Sequence, residues 1–281
     1  MTGFAGQLSL GHSLYVGVGA YVAAACFVKF GVNPWIGALA AMAACTAIGA
    51  VIGFLAFRFG VGGVYFAILT IAFAEFTRIG FDHLEWLGGS GGLFITVESR
   101  GTNDLLRLRG SPTMFFYIAL ALTVLGLALS RWLLDSRLGY YWRAIRENEE
   151  AAQALGINTF RYKMIAVMIS AGLTSVAGVF FAFYYNTLFP EQIFSMARSI
   201  EIILGPIIGG LGTLAGPIVG AFVLTPLADL VTELLEVLGI EVPGVKQVFY
   251  GLCLLVVVVF LPNGIWPAIA RRLGFAPPGG S

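Results

Sequence analysis

Few side chains in this sequence are suited to chemistry, and the best match to a catalytic pattern is a glycine-rich stretch. Gly88–Gly92 reads Gly-Gly-Ser-Gly-Gly, which fits the G-x-S-x-G pattern of a serine nucleophile, and His83 lies nearby. That pattern works on a sharp turn from a strand into a helix, with a base held against the serine. The surrounding residues have no strand pattern, so we interpret the stretch as an external loop or cap. An intramembrane serine protease that uses Ser90 is the alternative.

Neither a nucleotide site nor a metal site is indicated. A phosphate-binding P-loop ends in G-K-[ST], whereas Lys29, Lys163 and Lys246 each follow a residue other than glycine. His12 and His83 are isolated, and the three cysteines lie far apart in apolar runs. We therefore expect no catalytic residue, no metal and no cofactor in this chain, and any nucleotide hydrolysis belongs to another chain.

The polar stretch 136–158 lies between two apolar segments and predicts a short helix. Asn148 suits a helix N-cap, acidic residues follow it in the first turn, and Gly156 suits a helix end. Its small residues would let the cleft of another protein approach closely, as in helix-in-groove recognition. A solvated connector is the alternative. The residues we assign to this contact are Arg146, Glu147, Asn148, Glu149, Glu150, Ala151, Ala152 and Gly156.

The composition is that of a membrane protein. Of 281 residues, 58% are hydrophobic and 11% are charged, against about 25% charged in soluble domains. The net charge of +1 gives no reason to expect a nucleic-acid partner. The fold class is therefore all-α, a polytopic helical membrane protein in a lipid bilayer. Seven apolar regions are predicted: Leu14–Phe30, Trp35–Phe57, Val61–Phe81, Met114–Leu134, Met164–Leu188, Ile200–Val231 and Val248–Leu261.

The basic residues predict how the chain is oriented. Residues 131–163 hold six of the sixteen lysines and arginines, so this segment is expected to be cytoplasmic. Counting one span in each direction then places residues 82–113 and 189–199 outside.

The sixth apolar region is predicted to enter the membrane and return. Two arms, Ile200–Ile208 and Ile218–Val231, flank a glycine- and proline-rich break at Gly209–Pro217. Each arm covers about half a bilayer. A return also leaves Arg271 and Arg272 inside, as the positive-inside rule requires. A kinked single crossing is the alternative.

A weak internal repeat predicts where a transport pathway lies. Gly6–Gly11 and Gly210–Leu214 are both clusters of glycine, leucine and a hydroxyl residue that open an apolar stretch. Paired interruptions of this kind mark the central site of many transporters, and ionisable residues within spans mark ion or solute paths. For Glu75 the alternative is a structural pair with Arg78 or a position at an interface, and for His12 it is packing. The predicted pathway residues are Gln7, Ser9, His12, Glu75, Glu201, Gly210, Gly212 and Thr213.

Over most of its length the chain resembles the permease subunits of branched-chain amino-acid ABC importers. Glu150–Gly156 spells the E-A-A-x-x-x-G of their cytoplasmic coupling loop. The stretches that carry the likeness are Gly6–His12 with Gly17–Tyr21, Tyr65–Thr70 with Glu75 and Gly88–Leu93, Arg143–Asn158, and Gly209–Pro217.

The resemblance implies one permease domain over residues 1–281 in a bacterial inner membrane, with residues 135–163 as the cytoplasmic coupling loop. It implies two ABC ATPase subunits, a second homologous permease and an extracytoplasmic binding protein that delivers leucine, isoleucine or valine. The alternatives are a permease for a sugar, a urea or another small solute, and an ion-coupled secondary amino-acid carrier.

Two departures from that family stand out. Its members usually carry more apolar sequence before the Gly6–Gly11 stretch, and only five residues precede it here, which leaves room for a missing first span. Many importers continue E-A-A-x-x-x-G with Ile-x-Leu-Pro, whereas Met164–Val167 stands at that point here.

Overall fold

The described backbone of this chain is mostly helical, because a bilayer offers no hydrogen-bond partners to an open backbone. The structure is a computed structural model that describes residues 2–96, 103–237, 245–260 and 264–272. Within those ranges the helices are α1 Thr2–Ala5, α2 His12–Phe30, α3 Pro34–Arg58, α4 Gly63–His83, α5 Pro112–Asp135, α6 Arg137–Glu147, α7 Glu149–Ala154, α8 Thr159–Tyr185, α9 Pro190–Ile193, α10 Met196–Gly209, α11 Gly216–Val237, α12 Val245–Phe260 and α13 Ile265–Arg272.

Seven helical stretches in the described ranges are long and apolar enough to cross a membrane, which confirms the all-α, polytopic fold class. Five of them match the first five predicted regions closely. The seven stretches are His12–Phe30, Pro34–Arg58, Gly63–His83, Pro112–Asp135, Thr159–Tyr185, Pro190–Gly209 and Gly216–Leu235.

Local sequence sets where the long helices begin. The side chain of Asn33 accepts a hydrogen bond from the backbone N–H of Trp35 at 2.9 Å, and Pro34 takes the first helical position of α3. Ser111 and Pro112 repeat this arrangement at the start of α5. Capping side chains satisfy backbone donors that the first turn leaves open, and proline there lacks the donor altogether.

The prediction for the sixth apolar region is partly wrong. The break in the sixth region lies where it was expected, between Gly209 and Gly216, but α11 is 22 residues long. At about 33 Å it can cross the hydrocarbon by itself, so it is not a half-bilayer arm. The seventh predicted region coincides with α12 from Val248 to Phe260; Leu261, its predicted end, lies outside the described residues. Whether the sixth region returns to the same side stays a prediction.

The chain divides into two compact units, the first Ala5–Ser199 and the second Thr2–Phe4 with Ile200–Ser281. In the first unit, α2, α3 and α8 pack closely through small residues. A side-chain carbon added to Gly178 would collide with the carbonyl of Val16, and one added to Gly19 would lie 2.5 Å from the carbonyl of Ser175. Backbones that approach this closely are typical of helix packing in lipid.

A two-stranded ladder caps one end of the first unit. β1 (Leu93–Phe94) pairs antiparallel with β2 (Thr187–Leu188), and two 3-10 turns, Glu85–Leu87 and Gly89–Gly91, precede β1. Gly88–Gly92, which was interpreted as a loop or cap, contains no strand, and the two-residue strand β1 begins directly after it. The strand was missed because two residues carry no alternation that a sequence pattern can register.

The second unit is built around a helical hairpin. Leu204 and Ile208 of α10 pack with Leu224 of α11, and Tyr250 and Ile265 of the following helices cover them. Beside the break the two arms touch backbone to backbone, since a side-chain carbon on Gly209 or Gly220 would collide with the opposite arm. Small residues four apart on each arm permit this contact.

The contact between α2 and α8 yields a stability prediction. Gly178→Ala is expected to destabilise the protein by roughly 1 to 3 kcal/mol, because the added methyl group overpacks a backbone contact. The measurement is the thermal unfolding midpoint of the purified protein in detergent.

Gly126 on α5 supplies the matched control, since an added side-chain carbon there meets nothing within 4 Å. Gly126→Ala is expected to leave the midpoint unchanged or to raise it, as alanine favours helix. Equal midpoints for both variants would contradict the close contact of α2 and α8.

Candidate functional site

The polar segment between α5 and α8 folds into two helices. α7 is the predicted short helix, and its first turn is capped as expected, with Asn148 Oδ1 accepting from the N–H of Ala151 at 2.9 Å. Gly156 follows the helix with φ +84°, a conformation that glycine adopts readily. α6, which the sequence did not predict, precedes it and buries Trp142 and Ile145.

α7 shows most of its surface and hides one residue. Ala152 is buried, with 2% of its surface exposed, whereas Glu150, Ala151, Gln153 and Ala154 are exposed. The next residue, Leu155, is 82% exposed. The arrangement presents a short helix with small side chains and a projecting leucine.

An ion pair anchors the start of α7 to the long helices. Lys163 Nζ of α8 lies 2.6 Å from Glu149 Oε1, and only 7% of the lysine is exposed. The same ammonium group lies 4.8 Å from the ring centroid of Phe57, at the end of α3. A cation over an aromatic face is attracted to it, most strongly where water is excluded. Lys163 therefore joins α7, α8 and α3.

Two further hydrogen bonds hold the segment against the start of α8. Gln153 Nε2 donates to Thr159 Oγ1 at 2.8 Å, and Trp142 Nε1 donates to the carbonyl of Tyr162, also at 2.8 Å. Because both helices of the segment are tied to α8, displacement of α7 is expected to move α8 as well.

The first predicted pathway stretch lies beside this segment. Gly6 has φ +66°, and a side-chain carbon there would lie 3.1 Å from Arg146 Cγ. Gln7 and Ser9 are buried, and Gln7 Oε1 has no hydrogen-bond partner among the described residues. A buried amide oxygen without a donor is costly. His12 Nε2 lies 3.1 Å from Ser170 Oγ on α8.

Glu75 forms the structural pair that was its alternative interpretation. Arg78 donates to Glu75 Oε1 at 2.6 and 2.9 Å and to Asp82 Oδ2 at 2.7 Å. In the described part of the chain, no hydrogen bond or ion pair joins Glu75 to Gln7 or His12. Glu75 therefore stands apart from the other pathway residues of this unit.

The hydrolase pattern at Ser90 is not assembled for catalysis. His83 Nδ1 is 2.8 Å from the carbonyl of Ile79, and Asp82 is engaged by Arg78. Among the described hydrogen bonds none links Ser90 to His83. Ser90 also lies within a 3-10 turn that leads into a strand, the reverse of a strand-to-helix elbow.

The remaining pathway residues lie in the second unit, at the break between α10 and α11. Thr213 Oγ1 donates to the carbonyl of Gly210 at 2.8 Å and accepts from the N–H of Gly216 at 3.0 Å. Gly210 and Gly212 both have positive φ, at 123° and 81°. Glu201 is half-buried on α10. The Thr213 hydroxyl group thus provides hydrogen-bond partners for two backbone groups that the break in the helix would otherwise leave unpaired.

Sequence reasoning missed Lys163 and the pairing of Ser13 with Ser199. Ser199 Oγ donates to Ser13 Oγ at 2.7 Å, and Ser13 Oγ donates to the carbonyl of Phe194 at 3.1 Å. The only available signal was a lysine or serine within an apolar run, which does not say which distant residue it meets.

Apolar helices, a broken helical hairpin and an anchored surface helix together define a multi-pass membrane transport component. The family model for the permease component of branched-chain amino acid transport systems matches residues 1–258. The chain belongs to this family, and it is a permease component of an ABC transporter. Membership implies ATPase and binding-protein partners, and the permease subunits of the family are not themselves enzymes.

Individual relatives agree with the family. The high-affinity branched-chain amino acid transport system permease protein LivM of Salmonella typhimurium is 29% identical over 97% of this chain and 67% of its own length. The LivM protein of Escherichia coli is 28% identical over the same shares. The autoinducer 2 import system permease protein LsrC of Klebsiella pneumoniae is 34% identical over 50% of this chain and 41% of its own. No solved structure matches the chain.

The anchoring of α7 yields a second prediction. Lys163→Met keeps an apolar stem near Phe57 but removes the partner of Glu149, so α7 should detach more often. A loss of about 1 to 2 kcal/mol makes protease cleavage within residues 148–158 about 5- to 30-fold faster. Cleavage rates in detergent, followed by mass spectrometry, measure this effect.

Arg161→Met is the control, because Arg161 carries the same charge two residues away and is exposed. Its cleavage rate is expected to stay within about twofold of the wild type, as for most exposed substitutions. Glu149→Gln should add little to Lys163→Met if the two residues act as one pair. Additive effects would exclude the pair.

Proposed function

We propose that this chain is the membrane-spanning subunit of an ATP-driven importer that moves leucine, isoleucine and valine into a bacterial cell. Residues 1–281 act as one permease domain in the inner membrane, and residues 135–163 face the cytoplasm. Two ATPase subunits dock on that segment, and a second similar permease completes the pathway. An extracytoplasmic binding protein delivers the amino acid.

The observation that carries this proposal is α7, a rigid helix with an exposed face at the end of the long helices. Asn148 caps it, Lys163 anchors it, and Leu155 projects from it. A groove on an ATPase subunit would receive such a helix, with Glu150, Ala151 and Gly156 at the contact.

The proposed mechanism is a rigid-body movement driven from α7. ATP binding brings the two ATPase subunits together and displaces α7, and the Lys163–Glu149 pair passes the displacement to α8 and α3. Access to the pathway then switches from outside to inside. A ligand can shift this equilibrium only by as much as its affinity differs between the two states, so a weak site in the permease favours release.

Polar groups within the helical units are the proposed pathway contacts. In the first unit these are Gln7, Ser9 and His12, and the unpartnered amide oxygen of Gln7 supports the assignment. In the second unit they are Glu201 and the break at Gly210–Thr213. Glu75 is the weakest member of the set, because Arg78 already holds it.

A second candidate function is import of another small solute by the same mechanism. Partial likeness to the LsrC protein supports it, as does 29% identity over half of this chain to the nucleoside ABC transporter permease NupC of Lactococcus lactis. Likeness to the LivM proteins over nearly the whole chain favours branched-chain amino acids.

Uptake into proteoliposomes tests the proposal. The chain reconstituted with its ATPase subunits, its partner permease and its binding protein is expected to accumulate labelled leucine only when ATP is present. The lone chain should accumulate none, because it has no P-loop to use ATP. Uptake by the lone chain under an ion gradient would identify a secondary carrier, and ATP-driven uptake of another solute alone would identify the second candidate.

The coupling contact can be tested in the same vesicles. Glu150→Lys combined with Gly156→Val reverses a charge and places a bulky residue on the proposed contact. Uptake should fall at least about tenfold, which corresponds to a loss of 1.4 kcal/mol in docking. Immunoblotting of washed membranes should show normal insertion. Glu85→Lys, an equally exposed reversal outside this contact, is expected to transport normally, and unimpaired uptake by the Glu150 and Gly156 double variant would refute the coupling role.

A further inference from the structure

An open recess of about 520 Å³ lies at the end of the first unit where α4, the second 3-10 turn and α9 meet. Its size is that of a small-molecule site. Arg78 and Asp82 reach it from α4, Ser90 from the turn, and Phe189 and Glu191 from the start of α9.

Negative charge exceeds positive charge around the recess. The guanidinium group of Arg78 is bound by both Glu75 and Asp82, at 2.6 and 2.7 Å. Glu191 adds a third carboxylate, on the exposed side of the recess. Asp82 and Glu191 line the recess together with Arg78 and His83, whereas Glu75 pairs with Arg78 and does not line it. The three carboxylates outnumber the one guanidinium group, so the recess attracts a cation and disfavours an anion.

The remaining lining suits an organic cation better than a metal ion. Phe189 gives the recess an apolar wall and packs edge-on against Phe94 at 5.8 Å between ring centroids. Gln192 adds an amide group that can accept or donate. In the described part of the chain, no group of histidine, cysteine or acidic residues is arranged to hold a metal ion.

The rim of the recess is fixed to the core. Leu188, the residue before Phe189, is held in place by the pairing of β2 with β1. Tyr21 Oη also donates a hydrogen bond to the carbonyl of Leu188 at 2.9 Å. Glycine at position 92 lets the backbone lie this close to Leu188, since a side-chain carbon there would lie 2.7 Å from the same carbonyl. Phe189 and the helix that follows it therefore start from a rigid support, as a preformed site requires.

The recess lies across the unit from the coupling segment. α8 starts at Thr159, beside α7, and ends at Tyr185, two residues before β2. Its 27 residues make it about 40 Å long, which exceeds the hydrocarbon thickness of about 30 Å. If α7 faces the ATPase subunits, the recess faces the binding protein.

We propose that this recess receives the α-ammonium group of the amino acid as it leaves the binding protein, an inference that rests on the function proposed above. Asp82 and Glu191 accept hydrogen bonds from the ammonium group, and Phe189 contacts the aliphatic side chain. The site is open to water, so its hold is weak and the amino acid passes on into the permease.

Photolabelling of the complete transporter tests this inference. The reconstituted complex is given binding protein loaded with a diazirine analogue of leucine, irradiated, and digested for peptide mapping. Label is expected on the peptide that contains Phe189 to Gln192. Excess leucine should remove the label, whereas the keto acid of leucine, which lacks the ammonium group, should not.

Variants identify the groups responsible. Glu191→Gln, at an exposed position, is expected to lower labelling about fivefold, the effect of losing about 1 kcal/mol. Asp82→Asn should lower it as well. Glu85→Gln is the matched control, because Glu85 is exposed at the same end of the unit and should label as the wild type does.

Each other outcome overturns a different claim. Equal labelling of wild type and Glu191→Gln, in a complex that accumulates leucine with ATP, refutes the recess alone. Weaker capture of empty binding protein by Glu191→Gln, without label at the recess, makes this a protein-docking surface instead. A wild-type complex that accumulates no leucine overturns the proposed function, and the recess proposal falls with it.

Discussion

The absence of water from the bilayer core is the constraint on which the rest of this structure depends. Every backbone group within the hydrocarbon must find its partner inside the protein, so the spans are helices, and they gain contact by close approach. α2 and α8 meet through Gly19 and Gly178, where any larger residue would push the backbones apart. The same constraint explains the break between α10 and α11, where Thr213 supplies the hydrogen bonds that an interrupted helix lacks.

The ion pairs described above lie near the ends of the helices. At one end of the first unit, Lys163 is nearly buried because Glu149 and Phe57 compensate its charge. Only the lysine end of this pair is buried, since the Glu149 side chain is 38% exposed. The pair itself therefore adds little net stability, whereas loss of Glu149 would leave a buried charge without its carboxylate. Such a contact suits helices that must move together, because it connects the surface helix α7 to both α8 and α3.

Local features of the fold were predictable from the sequence, and distant ones were not. The cap at Asn148 and the helix after it depend on neighbouring residues, as does the break after Gly209, so composition and spacing reveal them. The length of α11 was missed because its proline and acidic residues resemble a helix end, yet α11 continues through Pro226. The role of Lys163 could not be predicted, since its partners Phe57 and Glu149 come close to it only in the folded chain. The recess at Asp82 and Glu191 joins segments more than 100 residues apart for the same reason.

The uninterrupted course of α8 has a consequence for how the protein avoids leaks. A continuous helix tied to the surface helix near its start, and followed directly by the strand that Tyr21 holds, behaves as a stiff rod rather than a chain of hinges. Tilting a rod shifts its two ends in opposite directions at the same instant. If α8 moves as proposed, the pathway closes at one face of the membrane as it opens at the other, and ions find no continuous route across it.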